Sequence, residues 1–397
     1  MEYDETFAST LKWSTLRTIL AIAAIDDLEI ECIDFSTAYL NGEIDKDVYM
    51  HQPEGFEEGD LVCKLGKGLY GLKQGGRLWY KKLAATLVSM GFRILRSDNS
   101  VYVLTNDIVT VIIPVFVDDC TLVSKSKEAL QKIKQELLSH FKLRDLGPIA
   151  QILGVQVTRD RSKRTLCLSQ SQYAMGVLSK FNMADCKPVG TPMDPGVRLT
   201  KDMCPTTDAE REEMASVPYI NAVGALMYLA TATRPDIANA VSILARFSSN
   251  PGLQHWQAVK HLMRYLKGTM DMKLTYSPSP TGDFLTVYSD ADHAGSKDDG
   301  KSTSAYVLKI GTGAVSWSSK LQGLVALSTT EAEYIAAVSC GMEAMSMVPL
   351  RYLIKCLTAC QCWSPGSELN LARMLTALAM SGLVAVARYM SAPTALM

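Results

Sequence analysis

Charge of one sign, long apolar runs and histidine are what this chain has least of, and each shortage narrows its function. Forty Lys and Arg stand against 41 Asp and Glu, a net charge of −1. That balance excludes a chain-wide electrostatic grip on nucleic acid, so any basic surface has to be local. The longest apolar run of the C-terminal tail, Met374 to Ala387, is flanked by Arg373 and Arg388. It falls short of the ~20 residues of a membrane helix, so no membrane partner is expected and the tail reads as buried or disordered. Histidine occurs five times. Cys356, Cys360 and Cys362 cluster with no histidine nearby, which does not fit the ligand spacings of zinc. The ten cysteines are scattered. With no signal peptide, they read as reduced thiols of an intracellular protein. Two further gaps concern acids: none lies between Leu61 and Ser97, and no aspartate follows Asp299.

What is present is an ordinary globular composition, 48% apolar and 20% charged, in a length sufficient for two or three domains. Thr15 to Ile25 reads as a helix, and Glu29 to Asp34 as a strand ending on a carboxylate. Leu61 to Ser97 carries eight Lys or Arg among six glycines, with Trp79 and Tyr80. Val109 to Ser124 is β-branched on both sides of two aspartates and predicts a hairpin. Pro114 is a blemish there, because it removes a ladder donor. Leu130, Ile133, Leu137 and Phe141 repeat at helical spacing over Lys127 to Phe141. Ile152 to Val157 and Thr165 to Leu168 predict a second hairpin. Cys186 to Pro218 holds five of the fifteen prolines and reads as a linker or long loop. Helices are expected at Tyr219 to Ala232, Pro235 to Phe247 and Leu253 to Lys267, the last carrying His255 and His261 as solvated side chains. Strands at Leu285 to Ser289, Ser304 to Ile310 and Ala314 to Ser318 precede a helix from Thr329 to Cys340.

The stretch "IPVFVDDCTLV" sets Asp118 and Asp119 side by side between apolar runs. A polar hairpin turn accounts for them, since Asp favours turns. So does a hard divalent cation, which prefers carboxylate oxygens and needs only one or two of them beside substrate phosphates. Asp34, at the end of an earlier strand, is a candidate third carboxylate. Asp290 ends the strand "LTVYSD", and Glu333 lies in the helical "TTEAEYIAA".

The order "DFSTAYLNG", "VCKLGKGLYGLKQGGRLWY", "FVDDC", "LGVQV", "TATRPDIANAVSILARFSSNP", "YSDADHAGSKDDGKSTSAYV" and "ALSTTEAEYIAA" resembles the Pol polyprotein of copia-type LTR retrotransposons. The resemblance runs from about Tyr3 to Met347. It implies an α/β (α+β) fold: a reverse transcriptase palm with an antiparallel sheet and packed helices over 1–183, then a linker and helical connection over 184–280. An incomplete ribonuclease H-like domain over 281–348 and a divergent tail over 349–397 follow. The implied activity is RNA-directed DNA synthesis with Mg²⁺ or Mn²⁺, acting on an RNA or DNA template–primer and deoxynucleotides. The resemblance assigns Asp34, Asp118 and Asp119 as the palm carboxylates, with Asp34 and Asp118 holding metal. Tyr39 matches a steric gate under the incoming sugar. Gln74 lies near the incoming nucleotide, and Lys73 and Arg77 meet phosphates. Phe116 stands where the family commonly has Tyr. Asp290 and Glu333 match the first two metal-holding carboxylates of a ribonuclease H site, with Asp292 and Glu331 as neighbours that spacing does not separate from them.

Two departures qualify these roles. The family's fingers region would precede "MEYDETFAST", and a third nuclease aspartate would follow Asp299; neither is present, so the chain reads as truncated at both ends. The alternative reading is a catalytically inactive remnant that retains at most nucleic-acid binding.

Overall fold

The computed structural model describes residues 6–106 and 109–358, with backbone alone over 348–358. The divergent tail beyond 358, with the run Met374 to Ala387 and with Cys360 and Cys362, and the side chain of Cys356 lie outside the described residues. Two compact units emerge. One takes 6–16, 26–149 and the end of the last helix; the other takes 17–25 and 150–350.

Helix α1 (Trp13–Ile25) is shared between them. It is buried on every face, from Leu16 through Ile19, Leu20 and Ala23, as an Ala/Ile/Leu helix without charge on most of its length should be. The first unit then runs β1 (Glu29–Phe35), β2 (Tyr49–His51), β3 (Val62–Lys64), α2 (Gly75–Ser89), β4 (Arg93–Leu95) and β5 (Asp98–Thr105). It continues through β6 (Thr110–Phe116), β7 (Asp119–Ser124), α3 (Lys127–His140) and β8 (Leu143–Pro148). Six of these strands form one antiparallel sheet in the order β4-β5-β6-β7-β1-β8, while β2 and β3 pair separately. Strand alternation puts Ile33, Phe35, Ile113, Val115, Cys120 and Leu122 on one face, where Leu83 and Leu87 of α2 and Leu130, Ile133 and Leu137 of α3 cover them. The Ser126 hydroxyl starts α3 by accepting from Ala129 N–H at 3.1 Å.

Pro114 does sit in a central strand, and the sheet tolerates it locally. The β6–β7 register is the same at both ends, but the two pairs opposite Ile113 and Pro114 drop out of the ladder. On β8 the register shifts by one residue between Cys32 and Ile33, skipping Leu146. An ion cluster ties this edge: the buried Lys134 Nζ of α3 lies 2.6 Å from the buried Glu31 of β1 and 2.6 Å from the exposed Asp145 of β8.

The second unit starts with β9 (Gln151–Ile152), β10 (Val155–Asp160) and β11 (Thr165–Ser169), then α4 (Ser171–Lys180), α5 (Asp208–Ala215), α6 (Tyr219–Ala232), α7 (Ala238–Ala245) and α8 (Leu253–Gly268). After β12 (Leu274–Tyr276) come β13 (Leu285–Ala291), β14 (Thr303–Ile310), β15 (Gly313–Leu321) and α9 (Thr329–Thr358). The sheets are β12-β11-β10-β9 and β13-β14-β15. Helices α4, α6, α7 and α8 share one apolar core through Leu178, Leu226, Leu244 and Leu262.

Several expectations change here. Ile152 belongs to its own short strand, so the second hairpin is β10–β11 alone. The proline-rich linker contains α5, started by a reciprocal cap between Thr207 and Glu210. His255 is buried rather than solvated: it stacks on Phe247, its Nδ1 accepts from Gly252 N–H at 2.9 Å, and its Nε2 lies 3.2 Å from Thr200 O. Burial holds its pKa below the usual value, so it serves as a neutral, fully bonded core group. His261 is half-buried rather than fully solvated, and its Nε2 lies 3.0 Å from Thr191 O. Among the described residues no single helix is long and apolar enough to cross a membrane.

Candidate active site

The first unit gathers its acids by strand register. Asp34 and Asp119 are direct Cα partners across β1 and β7, so their side chains leave the same face of the sheet. Asp118 follows in the loop, where its carbonyl accepts from Phe35 N–H at 3.2 Å. Asp34 and Asp119, 85 positions apart in the chain, thus meet at one sheet end. Their charges interact. The Asp119 carboxyl is held above the ordinary range by burial first, then by the Asp118 and Asp34 carboxylates. On the other side of β1, Arg144 is the register partner of Asp34 and reaches its Oδ2 at 3.3 Å. The sequence reading did not single out Arg144, because it depends on the β8 register.

The loop between the two strands is tight. Phe116 pairs with Asp119, leaving Val117 and Asp118 as the two-residue connection. Val117 has φ 59°, a left-handed conformation that costs a non-glycine residue roughly 1–3 kcal/mol. Trp79 of α2 donates its indole N–H to Val117 O at 2.7 Å. Trp79 is 2% exposed and meets Phe35 and Phe141 edge-on at 5.2 and 5.4 Å. Trp79 thus packs into the core of this unit.

Tyr39 lies in a single 3₁₀ turn, Ala38–Asn41, just after β1. Its phenol is held above the usual pKa by burial, by the Tyr70 hydroxyl and by the Asp118 carboxylate, which sets it beside the acidic loop. The glycines of "GLYGLKQGG" make room for it. A Cβ on Gly68 would fall 2.8 Å from Tyr39 O, and one on Gly75 would fall 3.0 Å from Leu69 O and 3.4 Å from the Tyr39 ring. Gln74 caps the start of α2; it is buried, and its Oε1 has no partner among the described residues. Lys73 is exposed and Arg77 half-buried on the same segment. Tyr70, 88% exposed and edge-on to Tyr39 at 5.5 Å, adds an aromatic side chain that the sequence alone does not mark.

Among the described residues, no group of three or more His, Cys, Asp or Glu could by itself hold a metal ion. The donor chemistry nevertheless suits a hard cation. Three carboxylates repel one another here, and Mg²⁺ typically takes one or two carboxylates and completes its shell with water and substrate phosphates.

In the second unit, Asp290 of β13 and Glu333 of α9 also meet. Burial raises the Glu333 pKa most; a hydrogen bond from Ala291 N–H opposes it, and the Asp290 carboxyl, hydrogen-bonded to Glu333, adds to it. Their neighbours are otherwise engaged. Asp292 accepts from Thr303 N–H at 2.6 Å, and Glu331 accepts from Leu327 N–H at 2.7 Å at the start of α9. Glu343 lies further along α9, bonded to Ser316.

Comparison with known proteins bears on the family. Residues 1–195 match the family described as reverse transcriptase (RNA-dependent DNA polymerase). The chain is 47% identical over 347 residues to the retrovirus-related Pol polyprotein from transposon TNT 1-94 of Nicotiana tabacum, covering 86% of this chain and 26% of that protein. It is 38% identical over 351 residues to the corresponding polyprotein from transposon RE1 of Arabidopsis thaliana, covering 86% of this chain and 23% of that one. Against the transposon Ty5-1 protein YCL074W of Saccharomyces cerevisiae it is 34% identical over 315 residues, 78% of this chain and 100% of that protein. The chain therefore spans about a quarter of the length of the two plant polyproteins. With the ordered motifs, the sheet-end acids and these likenesses in agreement, the chain belongs to the Pol polyprotein family of copia-type retrotransposons.

Proposed function

We propose that the first unit is the palm of an RNA-directed DNA polymerase and that Asp34, Asp118 and Asp119 are its catalytic carboxylates. The observation that supports this reading is the β1–β7 register, which sets Asp34 opposite Asp119 with Asp118 in the adjoining loop. Asp34 and Asp118 would hold Mg²⁺ or Mn²⁺. Two such ions near each other activate the attacking oxygen and stabilise the leaving one in phosphoryl transfer. The chain's own residues supply position. Tyr39, wedged against Gly75 and beside Asp118, closes the space that a 2′-hydroxyl would need. Gln74 carries an unpartnered buried oxygen at the start of α2 that suits a nucleotide donor. Lys73 and Arg77 offer phosphate contacts on the same segment. The substrates are deoxynucleotides and an RNA or DNA template–primer.

For the second unit the reading is a ribonuclease H-like site that is incomplete. Asp290 and Glu333 supply two carboxylates and share a hydrogen bond, but Asp292 and Glu331 are bound to backbone. Two-metal hydrolysis needs both ions fixed around one phosphate, and the third ligand has no candidate aspartate after Asp299. That shortfall favours an inactive nuclease region within the chain.

The test is extension of a DNA primer on an RNA template with Mg²⁺ or Mn²⁺. Divalent-dependent extension that disappears in Asp118→Asn supports the polymerase reading. Extension that persists in that variant refutes it.

A further inference from the structure

The loop joining β6 to β7 has a conformation its sequence does not favour. Of its two residues, only Val117 has a positive φ, the pattern of a II′ turn, whose first position prefers glycine. A β-branched residue there is a steric outlier, and such a conformation persists only where its surroundings impose it. Two hydrogen bonds do so. Phe35 N–H holds Asp118 O at 3.2 Å, and the Trp79 indole N–H holds Val117 O at 2.7 Å. Behind the loop, Val115, Val117, Trp79 and Tyr102 line a pocket, so close packing does not fill that side of Val117. The indole is itself fixed, buried between Phe35 and Phe141.

We propose that Trp79 is a positioning residue for Asp118: its indole N–H clamps the left-handed Val117 carbonyl and so sets the direction in which the next residue presents its carboxylate. The proposal rests on the reading of Asp34, Asp118 and Asp119 as a cation site. It also gives α2, which Gln74 caps, a mechanical link to the acidic loop.

The test uses the full chain with Trp79→Phe, Val117→Gly, the double variant and Asp118→Asn. Phenylalanine keeps a ring against Phe35 and Phe141 and removes the donor. Two quantities are read: hydrogen exchange at the backbone amides of 118 and 119, and Mn²⁺ affinity by paramagnetic resonance titration. In Trp79→Phe, exchange at 118 and 119 accelerates while Ile30 to Ile33 of β1 stay protected. Mn²⁺ affinity falls roughly two- to tenfold, the net worth of one hydrogen bond. Glycine adopts positive φ without strain, so Val117→Gly restores affinity in the double variant. Wild-type exchange and affinity in Trp79→Phe overturn the proposal. So does protection lost across the whole sheet and not restored by Val117→Gly, which marks Trp79 as packing alone. If Asp118→Asn binds Mn²⁺ as tightly as wild type, the cation reading fails and the proposal falls with it. An intact Asp118 dependence with an indifferent Trp79→Phe removes the proposal alone.

Discussion

Asp34 with Asp118 and Asp119, and Asp290 with Glu333, differ in what brings their carboxylates together. The first group is set by register between two central strands of a six-stranded sheet, with α2 and α3 covering the face behind it. The second joins β13, at the edge of a three-stranded sheet, to α9. Both carry a raised carboxyl, but the causes differ. Glu333 shares a hydrogen bond with Asp290, so one proton can satisfy the pair. Asp119 faces two further carboxylates, and burial and their charge both oppose its ionisation. A lone proton leaves charge on that site, whereas a divalent cation answers it. On the proposed reading, the comparison teaches that two acids in contact can form a self-sufficient pair, while three on one sheet end suit a cation.

The sharpest way to break the comparison is to remove one acid from each group. Asp118→Asn is expected to lower primer extension by more than the 10–100-fold typical of groups that merely orient metal ligands, whereas Asp290→Asn leaves it unchanged. A labelled RNA–DNA hybrid stays intact with the wild-type chain and Mg²⁺; cleavage lost in Asp290→Asn would show that the second group is active after all.

Smaller effects sharpen the first region. Tyr39→Ala opens the space beside Asp118, and ribonucleotide incorporation relative to deoxynucleotide should rise by about an order of magnitude or more, as when one steric contact worth 1–3 kcal/mol is removed. Equal discrimination by both proteins would remove the gate role. Lys73→Ala with Arg77→Ala should weaken template–primer binding and reduce the slope of log affinity against log salt by about one unit per lost contact. An unchanged slope would place the phosphates elsewhere.

The smallest effect is on stability. A raised folded pKa means that Asp119 favours the folded state when protonated, below the ordinary carboxylate range, and that this contribution is lost as pH rises through the raised value. Asp119→Asn should therefore raise Tm at neutral pH by roughly 1–3 °C and leave it unchanged near pH 3. Added Mg²⁺ should stabilise wild type at neutral pH and not at low pH. A variant that melts earlier at neutral pH would contradict the repulsion.

Much of this was legible in sequence. Asp34, Asp118 and Asp119 stood out because carboxylates ending or interrupting β-branched runs are unusual; Asp290 ended a strand pattern, and Glu333, on a helix, was marked by the family resemblance. The helices at 127–140 and 219–232 followed from their apolar spacing. The rest depended on contacts between distant residues. Trp79 and Val117 are 38 positions apart, and no periodicity reports an indole bonded to a loop carbonyl. Arg144 and the Glu31–Lys134–Asp145 cluster needed the β8 register, including its one-residue shift. His255 looked like a solvated helix residue because its partner, Thr200, lies in the proline-rich stretch. Helix α5 was the one avoidable miss: the Thr207-to-Glu210 spacing is a capping signal, outweighed by the neighbouring prolines.

The central claim is that sheet register builds one cation site from Asp34 and Asp118. Its most direct test is a Mn²⁺ titration of the full chain, followed by paramagnetic resonance, for wild type, Asp34→Asn, Asp118→Asn and Asp290→Asn. The account predicts that the first two substitutions each weaken the same Mn²⁺ by about tenfold or more, and that Asp290→Asn leaves that ion in place. Wild-type affinity in both Asp34→Asn and Asp118→Asn would contradict it.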